Sequence, residues 1–140
     1  MLLSHPMPDL IKILLVEDQT LMRQGLKTIL DLEPGLRVIG EASDGESGVR
    51  LALELRPDVI LMDVQMPKLD GLQTTAQIRT QNIEQPIIIA MTANALQERR
   101  IECEEAGMDD YISKPIQMEL FINMLEKWGK VIKQRLKTWR

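Results

Sequence analysis

Aromatic residues and long apolar runs are scarce in this sequence. Phe, Trp and Tyr together make up 3% of the 140 residues, which is too few for the stacking platforms that bind single-stranded nucleic acid. No stretch approaches the ~18 consecutive apolar residues of a membrane span, and the first ten residues lack the basic start and apolar run of a signal peptide. We therefore expect a cytoplasmic protein that does not cross or enter a membrane.

Histidine and cysteine each occur once. His5 lies in the first residues of the chain, which disfavours a hydrolase that depends on a histidine base. Cys103 has no partner for an internal disulfide, and this indicates a reducing compartment. We interpret Cys103 as a small apolar residue on a helix.

The net charge of −4 is unevenly distributed. Residues 127–140 contain six basic and no acidic residues, so the rest of the chain carries −10. An acidic body disfavours nonspecific nucleic-acid binding, and a short basic tail is typical of a solvated helix end or linker. We therefore expect no direct DNA binding. The predicted organisation is a flexible leader over 1–9, one folded domain over 10–126 and a basic helical extension or linker over 127–140.

Apolar residues (44%) and charged residues (27%) are present in the proportions of a folded globule. Short apolar segments predict strands over Ile11–Val16, Leu36–Ala42, Val59–Met62, Pro86–Met91 and Met108–Ile112. Each is followed by a segment with helical spacing of apolar residues. Alternating strands and helices imply a doubly wound α/β domain with a parallel sheet, and several strand orders, including 2-1-3-4-5, fit this pattern.

The helical spacing also predicts which residues are buried. The apolar positions are Leu21, Met22, Leu26, Ile29 and Leu30 in the first helix; Val49, Leu51, Ala52, Leu53 and Leu55 in the second; Leu96, Ile101 and Ala106 in the fourth; and Ile116, Leu120, Phe121, Met124 and Leu125 in the fifth. In the tail, the helical spacing of the fifth helix continues through Trp128, Ile132, Leu136 and Trp139. Gly129 makes a continued helix less stable, because glycine is unfavourable inside helices. We interpret this tail either as a dimer contact or linker, or as a helix end that packs its tryptophans on the domain.

Polar residues follow four of the predicted strands: Glu17 and Asp18, Asp63, Thr92, and Lys114. Ligands of open α/β sheets bind at the carboxyl ends of the strands, so we expect these side chains to lie together. Three converging carboxylates repel one another unless a cation binds between them, and ligands with oxygen alone favour Mg²⁺ or Mn²⁺. With Lys114 to neutralise a phosphoryl group, Asp63 is the candidate nucleophile for an acyl phosphate.

Four separated motifs resemble the receiver domain of two-component response regulators: Leu15–Asp18, Ile60–Gly71, Ala90–Ala93 and Tyr111–Pro115. The resemblance covers about residues 10–126. It implies a flavodoxin-like (βα)5 fold with the strand order 2-1-3-4-5. It also implies phosphorylation of Asp63, with Mg²⁺ held by Asp18, Asp63 and the main-chain carbonyl of Gln65, and with Glu17 acting largely through water.

The same resemblance assigns roles around the phosphoryl group. Lys114 contacts its oxygens, and Thr92 is the switch hydroxyl that hydrogen-bonds to them. Tyr111 is the aromatic residue whose rotamer changes with the switch. Gln65 and Asn94 tune the lifetime of the phosphorylated state. The Lys114–Pro115 bond is expected to be cis, a form that X-Pro bonds tolerate.

The resemblance further implies partners. A histidine kinase or a histidine phosphotransfer domain would donate the phosphoryl group, and a homodimer would form through helix 4, strand 5 and helix 5 or through the C-terminal helix. The domain would not be an enzyme for other substrates, because it would catalyse only its own phosphorylation and dephosphorylation.

The two halves of the chain resemble different receivers. The segments 19–26 and 38–45 resemble receivers of helix-turn-helix regulators, whereas 89–95 and 104–111 resemble receivers of hybrid histidine kinases. Natural divergence, a recombined gene and an engineered chimera are the alternatives. A phosphorylation-independent interaction module is the alternative function. A flavodoxin-like redox protein fits poorly, because Glu17 and Asp18 would repel a flavin phosphate where such proteins offer free backbone N–H groups.

Overall fold

The computed structural model describes residues 10–93 and 96–139, with side chains as far as Arg135. The predicted leader over 1–9 and Asn94 lie outside the described residues. The elements in chain order are β1 Ile11–Val16, α1 Thr20–Asp31, β2 Leu36–Ala42, α2 Gly45–Leu55, β3 Val59–Asp63, α3 Gly71–Arg79, β4 Ile87–Thr92, α4 Gln97–Ala106, β5 Asp110–Ser113 and α5 Met118–Trp139.

All neighbouring strands are parallel, and the sheet has the order β2-β1-β3-β4-β5. The predicted α/β fold and the strand order implied by the resemblance are both confirmed. One face of the sheet packs against α1 and α5, and the other packs against α2, α3 and α4. Because both faces are covered, every residue of β3 and β4 is buried.

Helix α1 buries fewer of its apolar residues than the spacing predicts. Leu26 and Leu30 are in the core, but Leu21 is 84% exposed and Ile29 is 41% exposed. Leu96, just before α4, and Ile101 in α4 are likewise exposed, and Cys103 packs in the core. In α5, Phe121 and Leu125 are buried while Leu120 is exposed. The buried stripe of α1, α4 and α5 is therefore narrower than the apolar stripe.

Helix α2 differs from the prediction that it buries large aliphatic residues, because its buried residues are Gly45, Gly48 and Ala52. A Cβ atom at Gly48 would lie 3.1 Å from Val16 Cγ1. The helix approaches β1 and α3 so closely that small residues are needed along this line, and its leucines lie at the half-buried flanks.

Strand β5 begins at Asp110, two residues later than predicted. Gly107 ends α4 with a φ of 104°, and Met108 N donates to Cys103 O at 3.0 Å. Met108 therefore belongs to the turn that closes α4, since a helix that ends in a left-handed residue satisfies its last carbonyl groups in this way.

Helix α5 continues without interruption into the basic tail. Ile132 joins the core beneath the sheet, and Gly129 lies where a Cβ atom would come within 2.7 Å of Ile11 Cδ1. The glycine expected to weaken the helix thus allows its close approach to the sheet. Trp128 Nε1 donates to Asp110 Oδ2 at 2.9 Å, so the tail as far as Arg135 packs on the domain.

Arg79 joins several segments at the amino end of the sheet. Its guanidinium donates to Gly107 O at 2.9 Å, Gln85 Oε1 at 3.0 Å, Pro86 O at 2.8 Å and Asp109 Oδ2 at 2.8 Å. These bonds connect the end of α3 to the segments that lead into β4 and β5. None of the helices in the described part of the chain has the length and apolar content that crossing a bilayer requires.

Candidate functional site

An acidic cluster forms at the carboxyl end of the sheet. Glu17 and Asp18 follow β1, and Asp63 ends the adjacent β3, where Val16 pairs with Met62. Carboxylate oxygens of the three residues lie within 4.8 Å of one another. Glu17 is fully buried and Asp63 is 2% exposed. The convergence expected from the strand ends is present.

Burial raises the pKa of Asp63 to about 7, and the hydrogen bond and charge of Glu17 contribute to this rise. Lys114 acts in the opposite direction: its Nζ donates to Asp63 Oδ1 at 3.2 Å and to Glu17 Oε1 at 3.0 Å. Burial alone would lower the pKa of Lys114, but the hydrogen bond with Glu17 and the charge of Asp63 outweigh burial and raise it. Lys114 thus pairs with two of the three acids.

The donor set fits a hard divalent cation. Its side-chain atoms are carboxylate oxygens, which Mg²⁺ and Mn²⁺ prefer. Burial and, after it, the neighbouring Glu17 raise the pKa of Asp63, and a second positive charge would oppose both effects. Asp18 is only partly buried, so the cluster is open to solvent on that side.

The loop after β3 folds back against the nucleophile candidate. Gln65 N donates to Asp63 Oδ1 at 3.2 Å, and Gly71 N donates to Val64 O at 3.0 Å. A Cβ atom at Gly71 would collide with the carbonyl oxygen of Asp63 and lie 2.8 Å from Val64 Cα. Asp70 caps α3 in a reciprocal arrangement with Gln73. Gln65 itself is exposed.

Arg23 contacts the loop that carries Glu17 and Asp18. Its Nη1 donates to Glu17 O at 2.8 Å, and its Nε lies 3.3 Å from Glu41 Oε1. Sequence interpretation did not identify this residue. A basic residue one turn into the helix that follows an acidic strand end is the signal that could have found it.

The remaining predicted residues lie on the two neighbouring strands. Thr92 ends β4, is 2% exposed and pairs with Ser113. Lys114 N donates to Thr92 O at 2.8 Å, and the Lys114–Pro115 bond is cis, as expected. Tyr111 is half-buried, and Arg100 of α4 lies 4.4 Å from the centre of its ring. Tyr111 therefore lies against α4, on the strand that leads to Lys114.

Comparisons with known proteins agree with this geometry. Residues 13–126 match the family described as the response regulator receiver domain. The chain is 44% identical over 105 residues to the transcriptional regulatory protein LiaR of Bacillus subtilis, covering 75% of this chain and 49% of LiaR. The response regulator domain of Thermotoga maritima CheB shares 32% identity with a TM-score of 0.77, covering 89% of this chain and 97% of that one.

The expectation of no direct DNA binding is wrong. LiaR is named as a transcriptional regulator. A structure described as a two-component response regulator of the LuxR family, from Aurantimonas sp. SI85-9A1, has the same fold, with 26% identity, a TM-score of 0.80 and coverage of 86% of each chain. The charge of one domain says nothing about the partners of a longer protein, and this chain spans about half the length of the curated relative it matches.

The fold, the acidic cluster with its lysine and the match over residues 13–126 lead to one conclusion. The chain belongs to the family of response regulator receiver domains of two-component signalling.

Proposed function

We propose that Asp63 accepts a phosphoryl group from a phosphohistidine of a protein partner, and that the phosphorylated chain controls a partner or output through a change of conformation. The observation that carries this proposal is the buried carboxylate of Asp63, which lies beside Lys114 and two further acids at the ligand-binding edge of the sheet.

The attacking atom in this proposal is Asp63 Oδ2. Among the described residues, the donors to Asp63 are Gln65 N and Lys114 Nζ, and both bind Oδ1. Oδ2 attacks phosphorus, the phosphorus–nitrogen bond breaks, and the imidazole leaves with the electron pair and then takes up a proton. Lys114 favours the ionised carboxylate that the attack requires.

A divalent cation, Mg²⁺ or Mn²⁺, would be held by Asp18, Asp63 and the main-chain carbonyl of Gln65, with Glu17 acting through water. When bound, it supplies positive charge to the oxygens of the transferred group. The all-oxygen donor set and the excess of negative charge over Lys114 support this assignment.

Phosphorylation would add about −1.5 to −2 charge at Asp63. Lys114 already bonds this carboxylate and moves to the new oxygens, and the Thr92 hydroxyl hydrogen-bonds to them. Tyr111 then changes rotamer at the strand next to Thr92. Reversing a 1:99 equilibrium needs about 5.5 kcal/mol, much of which a few charge-assisted hydrogen bonds can provide. Gln65 and Asn94 would tune hydrolysis of the acyl phosphate.

The surface of α1 supports a protein as the phosphoryl donor. Leu21 and Ile29 of α1 and Leu32, which directly follows the helix, are 84%, 41% and 77% exposed, and α1 begins two residues after Asp18. Exposed apolar side chains grouped on one surface mark protein contact sites. The donor would dock here and present its phosphohistidine to the site.

We further propose that the domain acts on no other substrate and catalyses only its own phosphorylation and dephosphorylation. Family membership and the buried free thiol of Cys103 support a cytoplasmic location.

The test is the intact mass of the protein after incubation with Mg²⁺ and acetyl phosphate. We expect one added phosphoryl group in the wild type and none in Asp63→Asn or after chelation of the metal. Asp58→Asn, at the opposite end of β3, is the matched control and retains the modification. A folded wild type that gains no mass, or an Asp63→Asn variant that does, would contradict the proposal, and the first result would favour a phosphorylation-independent module.

A further inference from the structure

Arg23 joins three segments that surround the acidic cluster. It lies in α1, donates from Nη1 to Glu17 O at 2.8 Å, and places Nε 3.3 Å from Glu41 Oε1 near the end of β2. Only 16% of its side chain is exposed. One guanidinium therefore ties the turn after β1 to both α1 and β2.

The turn needs such a contact because α1 begins without a side-chain cap. Gln19 occupies the cap position and forms no side-chain cap bond, and the first turn of the helix has no acidic residue. A side-chain cap normally satisfies and orients the first backbone groups of a helix. Here Gln19 N donates instead to Glu17 Oε2 at 3.1 Å, so the turn is held through Glu17 itself.

The Glu17 carbonyl belongs to the peptide unit that joins Glu17 to Asp18. In the described part of the chain, Arg23 is the side chain that donates to this carbonyl. The orientation of that peptide unit determines where both carboxylates lie relative to Asp63. A contact at one backbone atom therefore acts on two of the three acids.

Because Arg23 is paired with Glu41, we expect it to act on the acidic cluster by orienting the turn and not by its charge. Glu41 neutralises the guanidinium at 3.3 Å, so Arg23 adds little net positive charge to the cluster. The planar guanidinium can engage a carbonyl and a carboxylate in fixed directions, which the single ammonium of lysine reproduces only in part.

We propose that Arg23, supported by Glu41, is a positioning residue for the divalent-cation site formed by Glu17, Asp18 and Asp63. This inference rests on the function proposed for that site. Contacts that orient metal ligands are worth about 10–100-fold in metal affinity. Arg23 orients two of the acids and does not touch Asp63, so we expect an effect at the lower limit, about 10-fold.

The test is calorimetric titration of Mg²⁺ into Arg23→Met, Arg23→Lys and Glu41→Gln. We expect affinity to fall about 10-fold in Arg23→Met, less in Glu41→Gln, and to be partly restored in Arg23→Lys. With acetyl phosphate, the Mg²⁺ concentration for half-maximal phosphorylation should rise by the same factor while the maximal rate stays unchanged. Lys27→Met is the matched control, because Lys27 lies on the same helix and pairs with exposed Asp31.

Unchanged Mg²⁺ affinity in a folded Arg23→Met variant would overturn the inference, as would an equal loss in Lys27→Met. If Arg23→Met does not fold, unchanged affinity in both Arg23→Lys and Glu41→Gln overturns it. A wild type that binds no Mg²⁺ and gains no phosphoryl group would overturn the proposed function as well. Normal binding and phosphorylation in the wild type, with no effect in the variants, would overturn only the role of Arg23.

Discussion

The amino and carboxyl ends of the sheet bury charge in different ways. At the amino end, Arg79 is surrounded by three neutral oxygens and one carboxylate, that of Asp109, so its charge is matched. At the carboxyl end, Glu17 and Asp63 are buried with Lys114 as their shared cation, and Asp18 adds further negative charge. Removing one partner of a matched pair is costly, whereas an unmatched cluster lowers stability until a ligand completes it. The amino end of the sheet thus contributes stability, and the carboxyl end carries the ligand chemistry.

The largest expected effect is a loss of stability when the contacts of Arg79 at the amino end of the sheet are removed. Arg79→Met removes four hydrogen bonds and leaves Asp109, which still accepts from Ile88 N, without its cationic partner, so we expect the free energy of unfolding to fall by about 3 kcal/mol. Urea denaturation measures this change. Phosphorylation per folded molecule should not change, because the site lies at the other end of the sheet.

Arg50→Met is the control for that loss. Arg50 pairs with Glu54 at 3.7 Å on an exposed face of α2, and its removal should change the stability by less than about 0.5 kcal/mol. Equal losses in the two variants would mean that the contacts of Arg79 are not what stabilises the amino end.

A smaller loss of stability is expected when a side chain is added at Gly71, close to the carboxyl end of the sheet. In Gly71→Ala the new Cβ atom meets the carbonyl oxygen of Asp63 and the Cα of Val64, so the loop behind the nucleophile must shift. We expect a loss of about 2 kcal/mol in unfolding free energy, together with slower phosphorylation by acetyl phosphate.

Gly25→Ala is the matched control, since a Cβ atom at this position on α1 would extend into open space. There the substitution should raise the unfolding free energy by about 1 kcal/mol through helix propensity and leave phosphorylation unchanged. Phosphorylation at the wild-type rate in Gly71→Ala would show that the close approach behind Asp63 does not position it.

The smallest effect concerns the charge of Asp63 in metal-free protein. Burial raises its pKa from 3.8 to about 7 in the folded chain. The folded state therefore retains a proton that the unfolded state loses, and its relative stability falls as pH rises from 3.8 to about 7. Asp63→Asn should stabilise the protein at pH 8 by on the order of 1 kcal/mol and have little effect near pH 4.

Urea denaturation with a chelator at the two pH values measures this difference. Asp58→Asn, at the amino end of the same strand, should give no gain at either pH. A wild type that is equally stable across this range would mean that the buried carboxylates are not in conflict.

Much of the fold and the site could be predicted because the pattern of apolar, turn-forming and acidic residues in the sequence indicates them. The limits of β1 and β2 follow from apolar segments between turn residues, and both are confirmed. The convergence of Glu17, Asp18 and Asp63 follows from the rule that parallel strands end at one edge of a sheet.

The remainder depends on partners that leave no pattern in the sequence. Arg79 binds two backbone carbonyls, which every residue possesses, so its position in the sequence does not reveal it. The buried side of α2 consists of Gly45, Gly48 and Ala52, because the distance to β1 and α3, rather than hydrophobicity, selects the residues there. Leu21 of α1 and Leu120 of α5 are exposed. The apolar spacing of a helix therefore shows which residues are candidates for burial but not which of them are buried.

The bond between Trp128 and Asp110 has a spectroscopic consequence. One oxygen of the Asp110 carboxylate accepts from the Trp128 indole and the other accepts from Tyr111 N. Indole emission depends on the hydrogen bond of its N–H, so a displacement of the strand at Tyr111 should change the emission wavelength. The chain has two tryptophans, and Trp139→Phe isolates the relevant one. The protein thus carries a native fluorophore beside its proposed switch, and the change can be followed in real time without an added dye.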